Sequence, residues 1–188
     1  YSIRRKPFSL GYNSYKWHII KENINNDQVL GLFSQKKTPK HFGIGVDERV
    51  VEYPWIFSNL PGTSKTILDA GSTFNFKPIV EHKYFKDKQL NIYTFYPEAV
   101  NFPSDIVSYQ YGDLRSMPYD DNCFDVVVCH STIEHIDMDN SIYGYEIPNK
   151  ANIQVKSFEF IKAINEMQRV LKKKGTYLLT FPFGVFKN

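Results

Sequence analysis

Hydrophobic positions along the chain change their spacing near residue 62. Before that point the pattern is loose. Residues 1–45 carry polar clusters over 23–28 and 35–40 and no sustained period. They read as an irregular, basic N-terminal extension with one short helix near 14–22. Val50, Val51, Ile56, Phe57 and Leu60 then recur at helical intervals. A helix is therefore expected over about 47–60, with Asp47 suited to cap it. Pro54 predicts a kink or a late start, and Pro61-Gly62 ends the segment.

Beyond Gly62, short apolar runs alternate with helical periods. Residues 66–70, 90–95, 106–111, 124–129 and 176–181 read as strands. The fourth is continuously apolar, as in a strand buried on both faces. One helix is predicted over about 76–85. Phe158, Ile161, Ile164, Met167, Val170 and Leu171 predict another. Lys172, Lys173 and Lys174 suit its negative end, and Gly175 its stop. Strands alternating with helices imply right-handed crossovers and an α/β fold on a mostly parallel sheet. Ligands in such sheets bind beyond the carboxyl ends of the strands. Those ends carry Asp69-Ala70-Gly71, Thr94-Phe95-Tyr96, Gly112-Asp113 and His130-Ser131.

Gly71 permits a sharp turn and close approach to a ligand. An aspartate at a strand end, as at 69, accepts hydrogen bonds either from a ligand or from its own loop. Ser72 and Thr73 add hydroxyls, while an ordinary turn with Asn75 as helix cap would use the same residues. Asp113, just past a strand, is placed to accept a hydrogen bond from a base amino group. Glu134 and His135 are adjacent, which suits an acid–base pair, a metal site or plain packing.

Composition narrows the picture. At 42% apolar and 23% charged residues, the 188-residue chain is neither disordered nor fibrous. Two cysteines, Cys123 and Cys129, exclude a disulfide scaffold and a cysteine-based zinc site, and suit a reducing, cytoplasmic setting. No apolar run is long enough to span a membrane. The chain begins at Tyr1 without an initiator methionine, which leaves a removed leader open. A net charge of +3 does not argue for nucleic acid, although residues 1–40 alone hold +6. That basic stretch reads as a solvated extension.

Order and spacing of these motifs resemble a class I S-adenosylmethionine-dependent methyltransferase. The stretch from Asp113 to Ile136 is similar to the family's segment from strand three to the helix after strand four: an Asp, a Met before Pro, a Phe-Asp pair, an apolar strand, then Glu-His. Arg169-Val170-Leu171-Lys172-Lys173-Lys174-Gly175 before a β-run is similar to its approach to strand five. Ser131 to Ile136, with Glu48 to Trp55 upstream, resembles bacterial members associated with surface-polysaccharide synthesis. The resemblance covers roughly 47–183. It implies a Rossmann-like three-layer α/β/α sandwich over 46–188, C-terminally truncated and lacking the family's last two strands. An exposed strand-five edge then offers an oligomer contact.

The resemblance also implies roles. Asp69, Gly71, Ser72 and Thr73 would face the methionine part of S-adenosylmethionine. Thr94, Phe95 and Tyr96 would lie by the ribose, and Asp113 and Leu114 by the adenine. His130 and Ser131 would lie near the sulfonium and the acceptor. His130 or His135, with Glu134, would serve as base. No metal is expected, because Ser131 stands where metal-binding members carry a Glu. The family's second glycine is here Thr73, and its acidic ribose ligand is the neutral Thr94, with Glu98 nearby in the chain. The expected reaction is methyl transfer to an oxygen or nitrogen of a small-molecule or glycan-type acceptor. A non-catalytic binding or assembly module and an RNA-directed enzyme are the alternatives. Tyr53, Trp55 and the Tyr143-Gly144-Tyr145 stretch would lie either over the pocket mouth or in the core, with the core favoured for Trp55.

Overall fold

A computed structural model describes residues 9–137 and 158–182. Tyr143 to Tyr145 and the basic residues Arg4, Arg5 and Lys6 lie outside the described residues. The chain divides into two units, Tyr1–Pro61 and Gly62–Asn188. The division falls at Pro61, past the boundary at residue 45 expected from the sequence.

The first unit contains helices α1 (Tyr12–Ile24), α2 (Asp27–Ser34) and α3 (Arg49–Asn59). Where an irregular extension with one helix is expected, two helices stand. Asn26 starts the second by accepting hydrogen bonds from the amides of Gln28 and Val29. Asp47 ties the ends of α1 and α3 together. Its carboxylate meets Lys16 Nζ at 2.9 Å and accepts from the Arg49 amide, while its own amide donates to Tyr12 Oη. Tyr53 is buried in this unit, its ring 5.6 Å from that of Trp17. Of the two places open to it, pocket mouth and core, it takes the core. Pro54 sits inside α3, which runs through it.

The second unit is built on five strands: β1 (Thr66–Ala70), β2 (Gln89–Thr94), β3 (Val107–Tyr111), β4 (Phe124–His130) and β5 (Leu171–Thr180). They form one sheet in the order β3-β2-β1-β4-β5, and every pairing is parallel. The crossover from β1 to β2 carries a short helix, α4 (Lys77–Val80), and a 3₁₀ turn at Lys83–Phe85. The single helix expected over 76–85 is thus split. His82 makes the break by accepting from the Tyr84 amide through Nδ1. The crossover from β4 to β5 carries α5 (Glu159–Val170). These crossovers run in opposite directions along the sheet, so right-handed connections put α4 and α5 on opposite faces. The central strands β1 and β4 are almost wholly buried, which accounts for their unbroken apolar runs. Ala163, Met167 and Val170 of α5 pack on Leu68, Val127 and Cys129. Phe158 and Ile161, expected on the same stripe, are exposed, because the buried stripe runs through Ala163 instead.

Lys172 to Lys174 and Gly175 do not end the helix. They lie inside β5, which starts at Leu171 opposite Phe124. The register then jumps, so that Val126 faces Thr176 and the residues between bulge outward. Lys174 adopts a left-handed conformation with φ 67°. A Cβ on Gly175 would lie 2.6 Å from Leu171 Cδ1, so the excursion closes on itself at that glycine. Asp125 anchors it. The carboxylate accepts from Lys172 Nζ at 2.9 Å and from the Lys65 and Thr66 amides at 2.8 and 3.0 Å. Burial works to raise its pKa; the lysine and the two amides outweigh that and hold it well below the usual carboxylate range. The loop before β4 is held differently. Arg169 bonds Glu166, Asp121 and the carbonyls of Tyr119 and Met117.

Asp125→Asn is expected to destabilise the chain at pH 7 by about 1–3 kcal/mol. A carboxylate whose pKa is depressed by folding contributes fully above its unfolded value and loses that contribution as pH falls. The gap between wild type and variant should therefore narrow below about pH 4. Urea unfolding at several pH values checks both the size and the trend.

Candidate functional site

The strand order reverses direction between β1 and β4, the place where parallel sheets open a crevice at their carboxyl ends. Two loops meet there. The loop after β1 begins at Gly71, with φ 126°, and continues into Ser72 at φ 61°. The loop after β4 begins at Ser131, with φ 43°. Left-handed serines are costly and persist only where the surroundings hold them. Here Thr180 helps, since the Ser131 amide donates to its carbonyl at 3.0 Å and to its hydroxyl at 3.1 Å.

Asp69 organises the first loop. It is completely buried. Oδ1 accepts from the amide and hydroxyl of Thr73 at 3.2 and 3.0 Å, and Oδ2 from the Phe74 amide at 2.6 Å. Burial pushes its carboxyl up to about 7 against the pull of those bonds. Of the two roles open to it, the described contacts are those of fixing the loop. They also account for Thr73 in the position of a second glycine, because its hydroxyl turns inward to Asp69. Gly71 cannot be replaced so easily. A Cβ there would overlap Thr132 Oγ1, whose hydroxyl donates to the His130 carbonyl at 3.0 Å. Thr132 thus fills the space left by the glycine and joins the two loops.

The remaining expected residues are spread around this centre. Ser72 is 6% exposed, and its Oγ is buried without a hydrogen-bond partner among the described residues. Thr94 is buried at the end of β2, where its carbonyl accepts from the Gly112 amide at 2.9 Å. Phe95 and Tyr96 are half-exposed, with ring centroids 4.7 Å apart, edge to face. Leu114 belongs to the core cluster under α5. Asp113 does not present a bare carboxylate for a base amino group. Arg115 Nε and Nη2 grip both of its oxygens, the Arg115 amide adds a third donor, and the arginine also reaches Glu159 at 3.0 Å. Hydrogen bonding from Arg115 holds the Asp113 carboxyl below the usual range.

His130 is completely buried, so it meets no exterior acceptor in this conformation. His135 is more open, on a 3₁₀ turn at Ile133–His135, with Nε2 4.0 Å from Glu134 Oε1. Cys129 is an inert thiol, pushed up to about 12 by burial and then by the charges of Glu134 and Asp69. Asn75 caps nothing. Phe76 takes the cap position of α4, while Asn75 bonds Glu98, the Val100 carbonyl and Tyr109. Thr132 and Arg115 are the contributors that sequence reasoning misses, while Asn75 takes a role other than the cap expected of it. Only Arg115, two residues after an aspartate, leaves a local signal.

A methyltransferase-domain family profile matches residues 88–179 of the chain. Over that stretch, just under half of the chain, the sequence is that of a methyltransferase domain. Among solved structures, the chain is similar to an S-adenosylmethionine-dependent methyltransferase of Methanosarcina mazei: 19% identity, TM-score 0.41, 64% of this chain and 53% of that one covered. It is similar to the [4+2]-cyclase SpnF at 19% identity and TM-score 0.35, over 57% of this chain and 35% of that one. It is also similar to a Haloferax volcanii protein solved in complex with a methyltransferase activator: 14% identity, TM-score 0.43, 88% of this chain and 56% of that one. In each case the chain spans well under two thirds of the other's length. No curated protein matches it.

Two outcomes are expected of the loop. Gly71→Ala should cost more than about 2 kcal/mol, since both space and backbone oppose it, whereas Gly31→Ala, with nothing within 4 Å, should be neutral or stabilising; thermal unfolding compares them. Folding raises the Asp69 pKa, so the folded state keeps that proton longer than the unfolded chain. Its contribution is present in full below about pH 4 and is lost as pH rises through about 7. Wild type should accordingly lose stability relative to Asp69→Asn between pH 5 and pH 8, as read by denaturant unfolding.

Proposed function

We propose that this chain carries out S-adenosylmethionine-dependent methyl transfer to an oxygen or nitrogen of a small-molecule or glycan-type acceptor. The observation that carries the reading is the buried Ser72 hydroxyl, without a partner among the described residues, in a left-handed turn at the reversal point of the parallel sheet. A buried hydroxyl with unused hydrogen-bonding capacity costs free energy unless a ligand meets it. The donor set fits the cofactor: Ser72 and the turn amides for its amino-acid part, the exposed rings of Phe95 and Tyr96 for its base.

When bound, S-adenosylmethionine supplies an activated methyl group on a sulfonium, so the protein's share is alignment of an in-line attack. The loops after β1 and β4 are held rigid by Asp69, Thr132 and Thr180 for that purpose. His135 is the favoured base for a hydroxyl acceptor, because it has access that His130 lacks. Glu134 lies beside it, 4.0 Å away, to orient it. The free thiols of Cys123 and Cys129 support a reducing, cytoplasmic setting. No helix among the described residues is long and apolar enough to cross a membrane.

The alternative is a binding module without catalysis. The Arg115 grip on Asp113 and the neutral Thr94 favour it, since both remove acceptors from the cofactor side. Calorimetric titration with S-adenosylmethionine and S-adenosylhomocysteine separates the two. Micromolar binding is expected. His135→Ala should keep that affinity and lose about 10²–10⁴-fold in turnover on a hydroxyl acceptor. Absence of binding by a folded sample overturns the enzymatic reading.

A further inference from the structure

We propose that Thr132 is a positioning residue: seated in the space that Gly71 leaves, it fixes the turn carrying Glu134 and His135 against the cofactor loop. This role rests on the cofactor reading above and on His135 as the base.

Thr132 makes three contacts that together give it this role. The first is steric. A Cβ on Gly71 would run into Oγ1 and Cγ2 of Thr132 and would lie 2.6 Å from its Cβ. The branched side chain thus stands directly over one α-carbon of the loop after β1, nearer than a residue with a side chain there would allow. That α-carbon is a firm seat, since the Gly71 amide donates to the Tyr93 carbonyl of β2 at 2.9 Å. The second contact holds the side chain itself. Its hydroxyl donates to the His130 carbonyl at 3.0 Å, which favours one rotamer. The third is made by the backbone. The Thr132 carbonyl accepts from the His135 amide at 3.0 Å and closes the 3₁₀ turn Ile133–His135. Such a turn rises by only about 2 Å per residue. A shift at Thr132 therefore reaches His135 with little slack to absorb it.

The neighbours of Thr132 hold the turn to other parts of the fold. Ser131 donates its amide to Thr180, which ties the turn to β5. Ile133 is buried in the cluster beneath α5, which ties it to the core. Thr132 ties it to the loop after β1, where the residue following the seat is Ser72 with its buried hydroxyl. A ligand that meets Ser72 thus acts one residue away from the contact that locates the base. Such registry matters, because a misplacement of about 1 Å between reacting groups can cost about 10²-fold in rate. The seat is a matter of shape: three heavy atoms of Thr132 crowd the Gly71 position, while its hydroxyl bonds within its own loop. Valine preserves that shape, serine preserves part of it and glycine none.

The test follows the Cε1–H resonance of His135 by NMR in the full chain, with and without saturating S-adenosylhomocysteine. Loss of the signal in His135→Gln assigns it, and calorimetry sets saturation for each variant. Unfolding temperatures run in parallel. In wild type the ligand should shift this resonance. Thr132→Gly should bind the ligand and lose most of the shift. Thr132→Val should keep most of it, and Thr132→Ser should fall between. Thr132→Gly should also raise the unfolding temperature of Gly71→Ala, because it clears room for the added methyl group. A full shift in Thr132→Gly overturns the role of Thr132 and leaves the cofactor reading standing. So does a shift lost equally in Thr132→Val and Thr132→Gly, or a ligand that binds wild type without moving the resonance. If Thr132→Gly does not fold, valine and serine decide in its place, and equal shifts in those two overturn the seat. No binding by folded wild type removes the cofactor reading and this role with it.

Discussion

At the end of β1 a carboxylate lies wholly out of water, and three hydrogen bonds from Thr73 and Phe74 bend the following backbone around it. A buried acid of this kind is expensive. The cost is tolerable because two loop amides and a hydroxyl meet the carboxylate where water cannot. Once that turn is set, Gly71 must take its left-handed conformation and Thr132 can descend into the space beside it. The two crevice loops then hold one another. Asn75, at the far end of the same turn, is brought under Glu98 and Tyr109. Loop conformation, the meeting of β1 with β4 and the placement of an exposed acid all descend from Asp69.

The sheet was legible because its central strands are buried on both sides. Val126, Val127, Val128 and Cys129 leave no room for a polar residue, and so the run declares itself. The strand ends were legible for the opposite reason: polar residues and a glycine follow apolar runs abruptly. What the sequence hides is whatever a distant partner decides. Lys172 to Gly175 has the composition of a helix end, and the preference of lysine for that position is real. Asp125, on the neighbouring strand, draws Lys172 into β5 instead. The split at His82 is local in range but rests on a side chain accepting from a backbone amide, which hydrophobic spacing does not record.

The site shows the same division. Residues at the strand ends could be named from position, while their occupation could not. Asp113 has the right type and place to read a base, and Arg115 takes both its oxygens. His130 has the right type and place for a base, and it is completely buried. Thr132 carries no motif at all, since its importance lies in a glycine from another strand. In the first unit, aromatic and aliphatic anchors at Tyr12, Ile20 and Ile24 are too widely spaced to draw a clear stripe, which is why α1 and its partners looked irregular.

The bulge in β5 has a bearing on how this domain tolerates change. On one side of it Leu171 sits opposite Phe124, and on the other Thr176 sits opposite Val126. Both anchor points are set by their own pairing and packing, so the excursion between them is slack. Residues added or removed there alter the size of the outward loop without sliding β5 along β4 or turning its inward side chains to the other face. In most sheets such elasticity belongs to the connection before a strand. Here the helix ends at Val170 and the strand begins at the next residue, and the elasticity has moved inside the strand itself.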